Sequence, residues 1–175
     1  MYRKVIVYIA ASADGYIAKP GDDLTFLQMV AVENEDYGYK AFMDTVDTII
    51  IGRKTFDWVY REIGAAPHPE LDTYVITRTP RPDIGRTKFY TDDLGALINQ
   101  LKQQPGKNIF CDGGAEVIHT LLLLDQIDEM IISVIPILVG EGTRLFKDGR
   151  PEQALHLDTV RSFPSGLVQL HYSRK

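Results

Sequence analysis

Val46-Asp47-Thr48-Ile49-Ile50-Ile51-Gly52-Arg53-Lys54-Thr55-Phe56 is the stretch that decides the fold. Val46 to Ile51 is short and rich in β-branched side chains, the pattern of a buried strand. Gly52 breaks that pattern, and Phe56, Val59 and Tyr60 then recur at helical spacing. The same strand, glycine, helix order returns downstream. Asn108 to Asp112 reads as a strand, Gly113-Gly114 as a sharp junction, and Ala115 to Leu124 as a helix turning Val117, Ile118, Leu121 and Leu122 inward.

Working outward, Val5 to Ala11 is apolar on both alternating faces, as a central strand covered on both sides should be. Asp14-Gly15 and Lys19-Pro20-Gly21 are turn signals, so a long loop is expected before the next helix, which the pattern places from near Glu33 to about Asp44. Thr73 to Thr77 is a further strand, stopped by Pro80 and Pro82, and a short one follows at Lys88 to Tyr90. Leu94, Leu97, Ile98 and Leu101 mark a helix behind a Thr/Asp cap, ending at Pro105-Gly106. Met130 to Val139 is apolar on both faces, with Pro136 implying a bulge or strand end. Val168, Leu170 and Tyr172 alternate with Gln169, His171 and Ser173, the one-sided pattern of an antiparallel strand with a wet face. Together these predict an α/β fold: a mostly parallel sheet, helices on both faces, and an antiparallel carboxy-terminal edge.

Composition narrows the functions. At 175 residues, 45% apolar and 25% charged, the chain has the make-up of one globular domain spanning residues 1–175 and not of a fibrous or disordered protein. With 19 Lys and Arg against 24 Asp and Glu, the net charge of -5 repels polyanions, so nucleic acid is not an expected partner. No stretch approaches the roughly 18–20 apolar residues of a membrane span, and Val5 to Ala11 is too short for a signal peptide. One cysteine, Cys111, suits a reducing cytoplasm. His68, His119, His156 and His171 lack metal-ligand spacing, so no metal is expected. No G-x-S-x-G elbow supports nucleophilic hydrolysis.

Positive signals sit at the two glycine junctions. A glycine where a strand becomes a helix lets main-chain N–H groups and the positive helix end approach an anion. Arg53, Lys54 and Thr55 add charge and a hydroxyl beside Gly52. The Gly52 motif reads equally as a phosphate cradle or as an ordinary helix start, and a double glycine alone favours plain close packing. Neither Walker A nor G-x-G-x-x-G is present. Thr77-Arg78 ends a strand where open α/β sheets place ligand contacts and could hold a ribose 2'-phosphate, although loop arginines are more often simply solvated. Asp14, Asp36 and Asp112 are the carboxylates near strand or helix ends that could do acid or relay work. Tyr37, Tyr39 and Phe42 could wall a planar substrate, though at helical spacing such rings are more often core.

Five segments taken in order, Ala10 to Ala18, Gly52 to Phe56, Tyr74 to Arg78, Asp112 to Ile118 and Ile135 to Phe146, resemble the dihydrofolate reductase-like superfamily, in particular the reductase domain of riboflavin-biosynthesis deaminase-reductases. The resemblance implies an NADPH-dependent reductase, often a homodimer, with a central sheet of about eight strands. It implies nicotinamide contacts at Ala10, Ala11 and Ile17, and phosphate contacts at Gly52, Arg53, Lys54 and Thr55. It also implies 2'-phosphate contacts at Thr77 and Arg78, and diphosphate contacts over Gly113, Gly114, Ala115, Glu116 and Val117. Asp112 falls at an acidic substrate contact and Asp14 in an Asp-Gly loop. Asp36 is the nearest candidate for the reductase carboxylate, and Phe26 stands where a tryptophan is expected at the substrate entrance. The chain has a single cysteine and no PCxxC zinc motif, so the deaminase half is not expected here. The expected chemistry is hydride transfer to a C=N or C=O carbon of a small heterocycle, of ribosylaminopyrimidine or pterin type. True dihydrofolate reduction, or NADPH binding without turnover, are the alternatives.

Overall fold

The computed structural model describes residues 2–175. Its strands are β1 (Val5–Ser12), β2 (Tyr16–Ala18), β3 (Val46–Gly52), β4 (Asp72–Ile76), β5 (Thr87–Tyr90), β6 (Asn108–Gly113), β7 (Glu129–Ile135), β8 (Thr143–Arg144), β9 (Leu155–Ser162) and β10 (Val168–Arg174). Its helices are α1 (Tyr39–Met43), α2 (Arg53–Ile63), α3 (Leu94–Gln103) and α4 (Ala115–Leu123), with a 3-10 helix over Thr25–Val30. The main sheet runs β5-β4-β3-β6-β1-β7-β10-β9, and β2 pairs with β8 in a small second sheet. Pairings from β5 across to β7 are parallel, while β10 is antiparallel to both β7 and β9. The expected mixed, mostly parallel sheet is the observed one.

Parallel strands are buried on both faces, which is why β1, β3 and β6 have no polar alternation. Val5, Ile50, Ile109 and Cys111 are fully enclosed, and on one side they pack with α3 and α4 through Leu97, Ile98, Ile118 and Leu121. On the other side, Ile6, Ile49, Ile51 and Phe110 pack with Phe42 of α1 and Phe56 of α2. Each such large side chain contributes about 1.5–3 kcal/mol of burial. Asp93 caps α3 by accepting from the Ala96 N–H at 2.7 Å, a contact worth about 1 kcal/mol.

Several expectations need correction. The helix expected near Glu33 to Asp44 shrinks to Tyr39–Met43, because Asn34, Tyr37 and Gly38 all take positive φ (62°, 56° and 88°). The long loop before it holds β2 and the 3-10 helix. Pro136 does end β7, at Ile135. The carboxy-terminal strand is antiparallel, but β9 lies outside it, so β10 is not the edge. Its polar face is not wet either: Gln169 is 7% exposed, covered by residues that approach from β1 and β7.

Candidate functional site

The two glycine junctions lie side by side, because β3 and β6 are adjacent and parallel. A Cβ on Gly52 would stand 3.4 Å from Val117 and 3.5 Å from the Gly113 carbonyl oxygen. The Gly114 N–H donates to Thr55 Oγ1 at 3.3 Å, tying the start of α4 to that of α2. Gly113 sits at φ 93°, a conformation that L side chains rarely adopt, so the turn requires glycine. No side chain caps either helix. Two sets of free first-turn amides and two positive helix ends therefore converge at the carboxyl edge of the sheet.

Charge is arranged around them. Lys147 pairs with Glu116 at 2.5 Å, and with Arg144 it lines a cleft of about 350 Å³ against Ala115. Arg53 donates to Asp57 at 2.8 Å, and Arg81 binds the same carboxylate at 2.6 and 3.1 Å, so two guanidiniums share one acid. The hydrogen bonds from Arg81 and then Arg53, with their charge behind them, hold the Asp57 carboxyl below its usual range. Lys54 and Arg78 are exposed, and Thr77 is buried with its hydroxyl accepting from the Thr79 N–H at 3.1 Å. Val117 turns its side chain into the core, while Ala115, buried at the start of α4, lines the cleft beside Lys147.

Next to this edge the sheet opens. The β1–β6 ladder ends at Val7↔Cys111, whereas β1 continues beside β7 as far as Ser12↔Ile135. The Lys4 carbonyl accepts from Ile109 on the β6 side and the Val5 carbonyl from Asp128 on the β7 side. Continued alternation turns the main-chain groups of Ala10 into the gap and those of Ala11 toward β7. Ile17 is half-buried against the α3–α4 side of the core.

Asp112 stands at this gap on a bulge. Ile50 pairs with Cys111 and Ile51 with Gly113, so Asp112 is the extra residue, and such bulges re-aim side chains beside active sites. Burial lifts its carboxyl to about 7, with no opposing cation or hydrogen bond to lower it. Tyr39, whose hydroxyl meets His68 Nε2 at 3.0 Å, is raised by burial and then by the charge of Asp112. Cys111, behind it, is pushed by burial up to about 12 and is chemically silent.

The other sequence candidates lie away from the gap at Asp112. Asp14 accepts from Ser12 Oγ at 2.6 Å, Val139 N–H at 3.0 Å and Gly140 N–H at 2.8 Å, and these bonds hold its carboxyl at about 2. It fastens the loop after β1 to the loop after β7. Asp36 is exposed and accepts from the Gly38 and Lys40 N–H groups at 2.9 and 3.0 Å. Those bonds keep its carboxyl below the ordinary range, so it starts α1 as an ionised cap. Phe26 is 2% exposed and packs on Val30, Ile135 and Leu167, facing the core.

A second cleft, of about 230 Å³, lies across β1 and was not anticipated. Leu27, Val30 and Ala31 wall it, with Asp36 and Tyr37 at its rim and Ser133 at its floor. Below, Gln169 Nε2 lies 3.1 Å from the Tyr8 hydroxyl, 3.2 Å from the Tyr37 carbonyl and 3.2 Å from Ser133 Oγ. The Tyr8 hydroxyl donates to the Tyr37 carbonyl at 3.0 Å. The apolar–polar alternation of β10 was the available signal, read as solvent-facing when it faces this cleft. No helix of the described residues is long and apolar enough to cross a membrane.

Known proteins resemble the chain in sequence and in fold. The RibD C-terminal domain family matches residues 3–169. The Bacillus subtilis (strain 168) protein YwjB is 38% identical over 99% of this chain and 99% of its own. A crystal structure from Shewanella sp. PV-4, named for riboflavin biosynthesis, is 30% identical with a TM-score of 0.86, covering 100% of this chain and 99% of that one. Dihydrofolate reductase from Enterococcus faecalis, solved with NADP(H), shares the fold at 15% identity and TM-score 0.67, over 100% and 99% of the two chains. With sequence and architecture agreeing over nearly its whole length, the chain belongs to the RibD C-terminal domain family.

Proposed function

We infer that the chain, as one domain, is an NADPH-dependent reductase that transfers hydride to a C=N or C=O carbon of a small planar heterocycle. The observation that carries this reading is the adjacency of three features: twin glycine junctions with free amides, an opening beside the main chain of Ala10, and a desolvated Asp112 at that opening. The donor set fits a dinucleotide. Amides at the starts of α2 and α4 suit a diphosphate, and Arg53, Lys54, Thr77 and Arg78 suit a 2'-phosphate. Ala10 offers main-chain groups to a carboxamide.

When bound, the cofactor supplies the hydride. The protein's own part is positioning, exclusion of water and proton supply. Asp112, with a carboxyl near 7, holds a proton at neutral pH and delivers it to the heteroatom of the reduced bond, which restores charge balance. Asp36, ionised and engaged with α1, is not the donor in this reading. The family resemblance extends to a homodimer in the cytoplasm. Leu157 and Val160, exposed on the outer strand β9, support the pairing of two copies.

The test is NADPH oxidation followed at 340 nm with dihydrofolate, a ribosylaminopyrimidine and simple dihydropterins offered in turn. Turnover of one of them supports the reading. Saturable NADPH binding without oxidation of any would leave a nucleotide-binding protein and contradict it.

A further inference from the structure

The cleft across β1 differs in charge from the junction side, and that difference bears on the substrate. This inference rests on the reductase reading and narrows it. None of the residues lining the cleft is a lysine or arginine, and its floor is Ser133 above Gln169 and Tyr8, all uncharged. The segment at its mouth carries Glu33, Glu35 and Asp36, all exposed. Glu35 accepts from the Tyr37 N–H at 2.7 Å and Asp36 from Gly38 and Lys40, which fixes both carboxylates beside the mouth. Arg161 of β9, outside the lining, reaches the same segment: its Nη1 is 3.2 Å from where a Cβ on Gly38 would lie, and its guanidinium is 5.1 Å over the Phe163 ring. Lys40, the other nearby cation, is exposed on α1.

A phosphate dianion entering here meets Glu33, Glu35 and Asp36 against Arg161 and Lys40, a mouth with an excess of negative charge. No uncapped helix start faces it, as the first turns of α2 and α4 face the junctions. The volume of about 230 Å³ falls below the roughly 300–1,000 Å³ of sites for drug-sized ligands, which suits one or two fused rings without a sugar phosphate. Ser133 lines the floor, its Oγ accepts from Gln169 Nε2, and its own proton has no acceptor among the described side-chain bonds, so one donor remains there. A hydroxyl donor matches a ring carbonyl.

We propose that this cleft takes an uncharged planar heterocycle with a ring carbonyl toward Ser133, and discriminates against phosphate esters of the same ring system.

Calorimetric titrations with a ribosylaminopyrimidine, its 5'-phosphate and 6-methyl-7,8-dihydropterin test this, each with and without NADPH, and NADPH is also titrated alone. The expected result is binding of the two uncharged compounds at least tenfold tighter than the phosphate ester. Asp36→Asn, which keeps a capping side chain, should narrow that gap several-fold, and Ser133→Ala should weaken both uncharged compounds. Equal or tighter binding of the phosphate ester overturns the proposal, as does binding of none of the three by a folded protein that binds NADPH. Failure of NADPH alone to bind, with the preference among the three compounds intact, overturns the reductase reading and leaves this one standing.

Discussion

The two clefts flanking β1 are built from opposite materials. The β3–β6 side presents main-chain amides, helix ends and cations: Gly52, Gly113 and Gly114 with Lys54, Arg78, Arg144 and Lys147 around them. The β7–β10 side presents aromatic rings and neutral hydrogen bonds among Tyr8, Ser133, Tyr37 and Gln169. Fixed dipoles and close charges suit a polyanion that must be gripped. A neutral floor suits a ring that must be oriented and released. Asp112 stands at the opening between the two, where burial raises its carboxyl to about 7.

The largest effect should come from putting charge into the first cleft. Gly52→Asp sets a carboxylate between the two junctions, where a Cβ already lies 3.4–3.7 Å from Val117, Gly113 and Gly114. Repulsion of about 4 kcal/mol per close charge pair near a protein surface implies at least a 100-fold loss of NADPH affinity. Fluorescence titration measures this, and unchanged affinity breaks the contrast between the clefts.

Asp112→Asn should lower kcat by about 100-fold and remove the loss of activity expected of the wild type above about pH 7. A stability signature accompanies it. The folded carboxyl titrates near 7 and its reference value is 3.8, so between these the folded chain binds more protons than the unfolded one. Stability therefore falls as pH rises from about 4 to 7 and is level above. Thermal melts should show Asp112→Asn stabilised by about 1–3 kcal/mol at pH 8 and unchanged near pH 4. Equal melting differences at both pH values would contradict burial as the cause.

Arg78→Ala sharpens the comparison within the charged cleft. It should cut the preference for NADPH over NADH by about tenfold, read as a ratio of kcat/KM values, and an equal loss with both cofactors counts against a 2'-phosphate role. The smallest effect is expected at Asp14, whose bonds join two loops and touch neither cleft floor. Asp14→Asn should speed amide exchange at Val139 and Gly140 several-fold with little change in nucleotide affinity.

The charged cleft was legible in the sequence because its parts are local: a strand, a glycine and a helix start within a few residues of each other. Their adjacency was not, since it depends on β3 lying beside β6. The neutral cleft was illegible for the same reason in stronger form. Tyr8, Ser133 and Gln169 meet only through the β1–β7–β10 register, in which Ala10 faces Ser133 and Ser133 faces Gln169. Asp112 could be named but not its bulge, which exists only relative to β3. Asp36 was placed inside a helix that the positive φ of Tyr37 and Gly38 delays until Tyr39, and Phe26 was read as an entrance residue although its side chain completes the core.

The account stands most directly on calorimetry of NADPH with the purified, folded chain. It predicts saturable one-to-one binding that is lost in Gly52→Asp and retained in Asp112→Asn. Absence of heat and of saturation with the wild-type protein at millimolar NADPH would contradict it.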